Sequence, residues 1–67
     1  MFVAYLIPKE NFALLEDGLQ WWASASTKTE AEMELRFLFE DQLRKEFYTD
    51  DQIFSIWNQH NSFTISV

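Results

Sequence analysis

Apolar and polar positions divide the chain into short strand-like runs, one long helical stretch and a final alternating run. Phe2 to Ile7 is an almost unbroken series of β-branched and aromatic residues that Pro8 ends, which predicts a first strand. Phe12-Ala13-Leu14-Leu15 is a second apolar run, and Asp17-Gly18 stands between it and Leu19–Ala25, the pattern of a hairpin turn between two strands. In the third run Leu19, Trp21, Ala23 and Ala25 share one face, while Gln20, Trp22 and Ser24 share the other, so one of the adjacent tryptophans turns away from the core. A competing reading makes residues 9–16 a short helix, with Pro8 at its first position and Gly18 just past its end.

From Thr27 the period changes. Thr27-Lys28-Thr29-Glu30 and Thr29-Glu30-Ala31-Glu32 both fit a capping box, and residues 29–48 contain neither Gly nor Pro. Ala31, Leu35, Leu38, Phe39 and Leu43 form one stripe, and Glu32–Arg36, Glu40–Arg44 and Asp41–Lys45 are acid-to-base pairs one turn apart. Thr49-Asp50-Asp51-Gln52 caps a second, shorter helix, with Ile53, Ile56, Trp57 and His60 on its inner side. Ser62–Val67 alternates and predicts a last strand, half buried through Phe63, Ile65 and Val67. The expected fold class is α+β, in the order β-β-β-α-α-β. A small antiparallel sheet of N-terminal strands plus the C-terminal strand packs against one long amphipathic helix and one short one.

Length sets the scale: 67 residues make a single small globular domain. With no cysteine, neither a disulfide nor a thiolate metal site is available, so packing or association must hold the fold. Aromatics reach 18%, and each buried ring removes ~150–250 Å² from water, so the chain is an ordered globule. The apolar Met1–Ile7 run lacks a basic leader and is too short to span a bilayer, which together with the lack of cysteine points to the cytoplasm.

A net charge of −6 disfavours direct contact with nucleic acid or an anionic membrane. It suits a protein partner with a basic surface, including the groove of a nucleic-acid-binding protein. Catalysis finds no support in the motifs. His60 is the one histidine, with neither Cys nor a second His to complete a metal site, and no nucleophile elbow, phosphate loop or zinc-protease pair occurs. Glu30, Glu32, Glu34, Asp50 and Asp51 are accounted for by helix N-termini and capping. The reading carries no cofactor and no metal.

What remains is surplus apolar surface. Met33, Phe37 and Tyr48 fall off the main helical stripe, Phe47 lies between the two sets, and Phe54 is off the inner face of the second helix. A contiguous set of that kind marks either an interface or an extra core layer made by the second helix folding back. The expected function is a non-enzymatic protein-interaction module, an inhibitor or accessory subunit. Its apolar anchors are drawn from Trp22, Met33, Phe37, Tyr48 and Phe54, and its rim from Glu30, Glu34, Glu40, Asp41, Asp50 and Asp51. In size, charge and topology the chain resembles small bacterial and phage proteins that bind and inhibit a larger host machine; no motif residues carry the likeness. The alternatives are a homodimer or larger homo-oligomer satisfied through its own apolar helix face, and a small-ligand or metal-binding protein built near His60.

Overall fold

In the computed structural model of the chain, residues 1–9 and 21–67 are described. Five elements follow one another: β1 (Phe2–Pro8), β2 (Trp22–Ala25), α1 (Lys28–Lys45), α2 (Asp50–Asn58) and β3 (His60–Ser66). They form an α+β fold in which a three-stranded sheet, ordered β2-β1-β3 and antiparallel throughout, carries α1 on one side. The expected strand over 12–15, its Asp17-Gly18 turn and the rival helix over 9–16 involve residues outside the described ones.

β1 is the central strand. It pairs from Phe2↔Ser66 to Pro8↔His60 with β3, and from Phe2↔Ala25 to Tyr5↔Trp22 with β2. Backbone bonds Val67 N–H to Met1 O (2.8 Å) and Lys9 N–H to Gln59 O (2.9 Å) close the β1–β3 ladder at its two ends. Ala4 and Leu6 point to the helix and are buried, and Ala23 and Ala25 beside them are small enough to let α1 approach.

α1 begins where Thr27 caps it, its hydroxyl accepting from the Glu30 N–H at 3.1 Å, so the first of the two overlapping signals is the one used. Ala31, Leu35, Phe39 and Leu43, spaced four apart, are its buried row. Leu38, expected in that row, is instead 45% exposed: the three described strands cover a narrow row, and Leu38 falls beyond their edge. The helix stops at Lys45, short of the expected residue 48. Phe47 takes φ 68°, its N–H bonds to Arg44 O (3.0 Å), and the Tyr48 N–H bonds to Leu43 O (3.1 Å). That is a Schellman stop with phenylalanine in the left-handed position glycine normally holds.

α2 carries the full capping box. The Thr49 hydroxyl accepts from Gln52 N–H (3.2 Å), and the Gln52 side chain accepts from Thr49 N–H (2.9 Å). Ile53 is buried and Ile56 and Trp57 pack against the core. His60, expected on this helix, is the first residue of β3, because the turn closes at Gln59 and pairing with Pro8 then takes over. Its Nδ1–H still reaches back to Ile56 O at 2.7 Å. At the centre of the core lies Phe39, fully buried, with Trp21, Trp57 and His60 edge-on to its ring at 5.0, 5.2 and 5.9 Å between centroids.

The last strand is turned over relative to the expectation. Since Ala4 and Leu6 face α1, their partners Thr64 and Ser62 share that side, and Phe63 and Ile65 stand with Tyr5 and Val3 on the opposite one. Phe63, Ile65 and Val67 are exposed. The polar residues are accommodated because α1 lies mainly over β1 and β2, leaving β3 at the rim, where the Thr64 hydroxyl donates to Glu32 Oε1 at 3.2 Å.

Candidate interaction surface

Met33 and Phe37 are one turn apart on α1 and point away from the buried row, 66% and 69% exposed. They are surface, and the second helix does not fold back as an extra core layer over them. Helical spacing sets Glu30 beside Met33, and Glu34, Glu40 and Asp41 beside Phe37.

The acidic residues differ in how much of their charge is available. Glu40 pairs with Arg36 at 2.7 Å and Arg44 at 3.7 Å, Asp41 with Lys45 at 3.0 Å, and Asp50 with Arg44 at 3.5 Å. Glu30, Glu34 and Asp51 make no ion pair among the described residues. Glu30 accepts from the Ser26 hydroxyl at 3.3 Å and stands in the first turn of α1, where the helix N-terminus favours its charge. Glu30 and Glu34, on the N-terminal half of α1, thus stand outside the ion pairs that hold Glu40 and Asp41 on its C-terminal half. The expected pair Glu32–Arg36 is replaced: Glu32 accepts from Thr64, and Arg36 turns to Glu40 and lays its guanidinium 4.4 Å from the centre of the Trp57 ring. That contact clasps α1 to α2.

The remaining anchors are dispersed. Trp22, 55% exposed, is on the sheet face opposite α1 and shares no surface with Met33 and Phe37. Tyr48 is exposed in the turn after α1, and Phe54 lies on α2, 60% exposed. Phe47, left out of the sequence-based set, is the most exposed large apolar residue described, at 94%. A phenylalanine standing in left-handed backbone with its ring in water is a feature that spacing along a helix does not reveal. Val3, Tyr5, Ile7, Phe63 and Ile65 were missed as well; the signal was available in β1, whose apolar residues do not alternate.

Among the described residues no three His, Cys, Asp or Glu side chains gather into a metal-binding group, and no buried side-chain nitrogen or oxygen is left without a partner. No described helix is long and apolar enough to cross a membrane. His60 donates to a backbone carbonyl and packs on Phe39, the surroundings of a structural histidine. No protein-family model, no curated protein and no solved structure matches the chain.

Proposed function

We propose that this chain is a non-enzymatic interaction module, an inhibitor or accessory subunit acting in the cytoplasm, which docks the outer face of α1 on a basic surface of a larger protein. The observation that carries the reading is the exposure of Met33 with Glu30 one turn before it and of Phe37 with Glu34 one turn before it. Two adjacent apolar side chains supply desolvated anchors, and the unpaired carboxylates beside them steer a cationic partner into register. The net charge of −6 adds to that attraction, whose range of roughly 10 Å at ~0.1 M is set by the salt.

The test is capture of binding proteins from host lysate by the tagged chain, in parallel with a Met33→Ser/Phe37→Ser variant and a Glu30→Gln/Glu34→Gln variant. A partner held by the native chain, lost with the first variant, weakened with the second and released by salt supports the reading. A partner that both variants hold as tightly as the native chain overturns it.

A further inference from the structure

The ladder between β1 and β3 fixes which backbone groups of β3 face into the sheet. The bonds Val67 N–H to Met1 O and Lys9 N–H to Gln59 O belong to the pairs Met1–Val67 and Lys9–Gln59. In an antiparallel ladder such hydrogen-bonded pairs recur at every second residue, so Asn61, Phe63 and Ile65 direct N–H and C=O toward β1. The Leu6 N–H, bonded to Trp21 O at 3.1 Å, shows the complementary alternation on the β2 side of β1. Ser62, Thr64 and Ser66 therefore turn N–H and C=O outward, along an edge with which no described residue pairs.

Folded proteins blunt such an edge with charge, proline, a bulge or brevity. β3 uses none of these. It runs seven residues from His60 to Ser66 and contains no Asp, Glu, Lys, Arg or Pro. Its register against β1 is unbroken from Phe2↔Ser66 to Pro8↔His60.

We infer that the outer edge of β3 takes an extended segment of a partner protein, one that alternates basic with apolar residues. The side chains along the edge set that pattern. On the α1 side stand Ser62, Thr64 and Ser66, and the Thr64 hydroxyl donates to Glu32 Oε1 at 3.2 Å, which holds a carboxylate at the rim. Glu32 makes no ion pair among the described residues, because Arg36 turns to Glu40 and Trp57 instead. On the other side stand Phe63 and Ile65, 45% and 48% exposed. An added strand puts alternate side chains on these two sides, so lysine or arginine suits the first and an apolar residue the second. Charge disfavours a second copy of the chain here, since two molecules of −6 would meet with the Glu32 of each near the seam.

The experiment is amide NMR of the full chain, first alone and then with a blocked peptide of alternating lysine and valine about as long as β3. In the dilute free chain the amides of Ser62, Thr64 and Ser66 are expected to exchange rapidly while those of Phe63 and Ile65 are protected. The peptide is expected to shift and protect the outward set, and an alternating glutamate and valine peptide to leave it unchanged. N-methylation of the basic peptide at one alternate set of residues is expected to abolish binding and at the other to spare it, because only one set faces β3. Glu32→Gln is expected to weaken binding by about threefold. Ser62→Pro removes an outward N–H, leaves the bonds to β1 whole, and is expected to abolish binding with the fold intact by circular dichroism. Met33→Ser/Phe37→Ser is expected to leave peptide binding unchanged, so failure here is distinguishable from failure of the α1 reading. Outward amides already protected in the dilute free chain overturn the inference, as does protection that grows with the chain's own concentration in the absence of peptide. Equal binding of the acidic peptide, or of both N-methylated forms, overturns it too, and so does no binding of the basic one.

Discussion

Tyr5 and Phe63 face each other directly across β1 and β3, their rings stacked with centroids 5.7 Å apart and planes inclined by 26°. The pair stands on the open side of the sheet, so its contribution comes from ring against ring more than from burial in the core. A double-mutant cycle of Tyr5→Ala and Phe63→Ala, read by denaturant unfolding, is expected to give a coupling of about 0.5–1 kcal/mol. Two single losses that simply add would show the rings to be neighbours without interaction.

Phe47 offers a gain in stability. Left-handed backbone costs a residue with a Cβ ~1–2 kcal/mol, and the exposed ring recovers none of it by packing. Phe47→Gly removes that strain, while the extra freedom of glycine in the unfolded chain returns part of the gain, leaving a net stabilisation of about 0.5–1 kcal/mol. A melting temperature raised by several degrees checks it; a lowered one would mean that the ring makes a contact in solution.

Phe39 is the position least able to change. Trp21, Trp57 and His60 all rest edge-on against its ring, so truncation opens a cavity bordered by the residue before β2, by α2 and by the start of β3 at once. Phe39→Ala is expected to cost about 3–5 kcal/mol, a large part of the stability of so small a domain. Urea unfolding, supported by loss of near-UV circular dichroism, reports the outcome.

The reciprocal bonds of Thr49 and Gln52 make a more modest prediction. Thr49→Ala orphans the Gln52 N–H and is expected to cost about 1 kcal/mol. Adding Gln52→Ala is expected to cost less than in the native background, since the two bonds hold the same turn. Equal costs in both backgrounds would show the box to be two separate contacts.

Met33 and Phe37 separate docking from folding. As they point to water, Met33→Ser/Phe37→Ser is expected to change stability by no more than about 0.5 kcal/mol per site. Leu35→Ser, one step round the same helix and fully buried, is expected to unfold the chain. Thermal melts of the two variants side by side make the comparison.

Local signals in the sequence were enough wherever the physics is local. Threonine caps, uninterrupted helix formers and a row spaced four apart select α1 and α2 because their bonds and contacts close within one turn. The split between Trp21 and Trp22 follows from strand geometry alone, as does the division of the last strand into an apolar and a polar side. Alternation says that two faces differ, not which of them meets the core. That choice depends on register with β1: once Ala4 and Leu6 are committed to α1, Thr64 and Ser62 must follow, and Phe63 and Ile65 are carried outward although they are the more apolar. In the same way the rim of carboxylates is legible as composition, while its division into paired Glu40, Asp41 and Asp50 and unpaired Glu30, Glu34 and Asp51 depends on where Arg36, Arg44 and Lys45 reach in three dimensions. The sequence by itself determined where the two helices start and that the last strand has one apolar and one polar side, because those are set by neighbours within a few residues. Only the tertiary structure decided which sides meet each other and which are left to water, because one short sheet cannot cover every apolar face the chain presents.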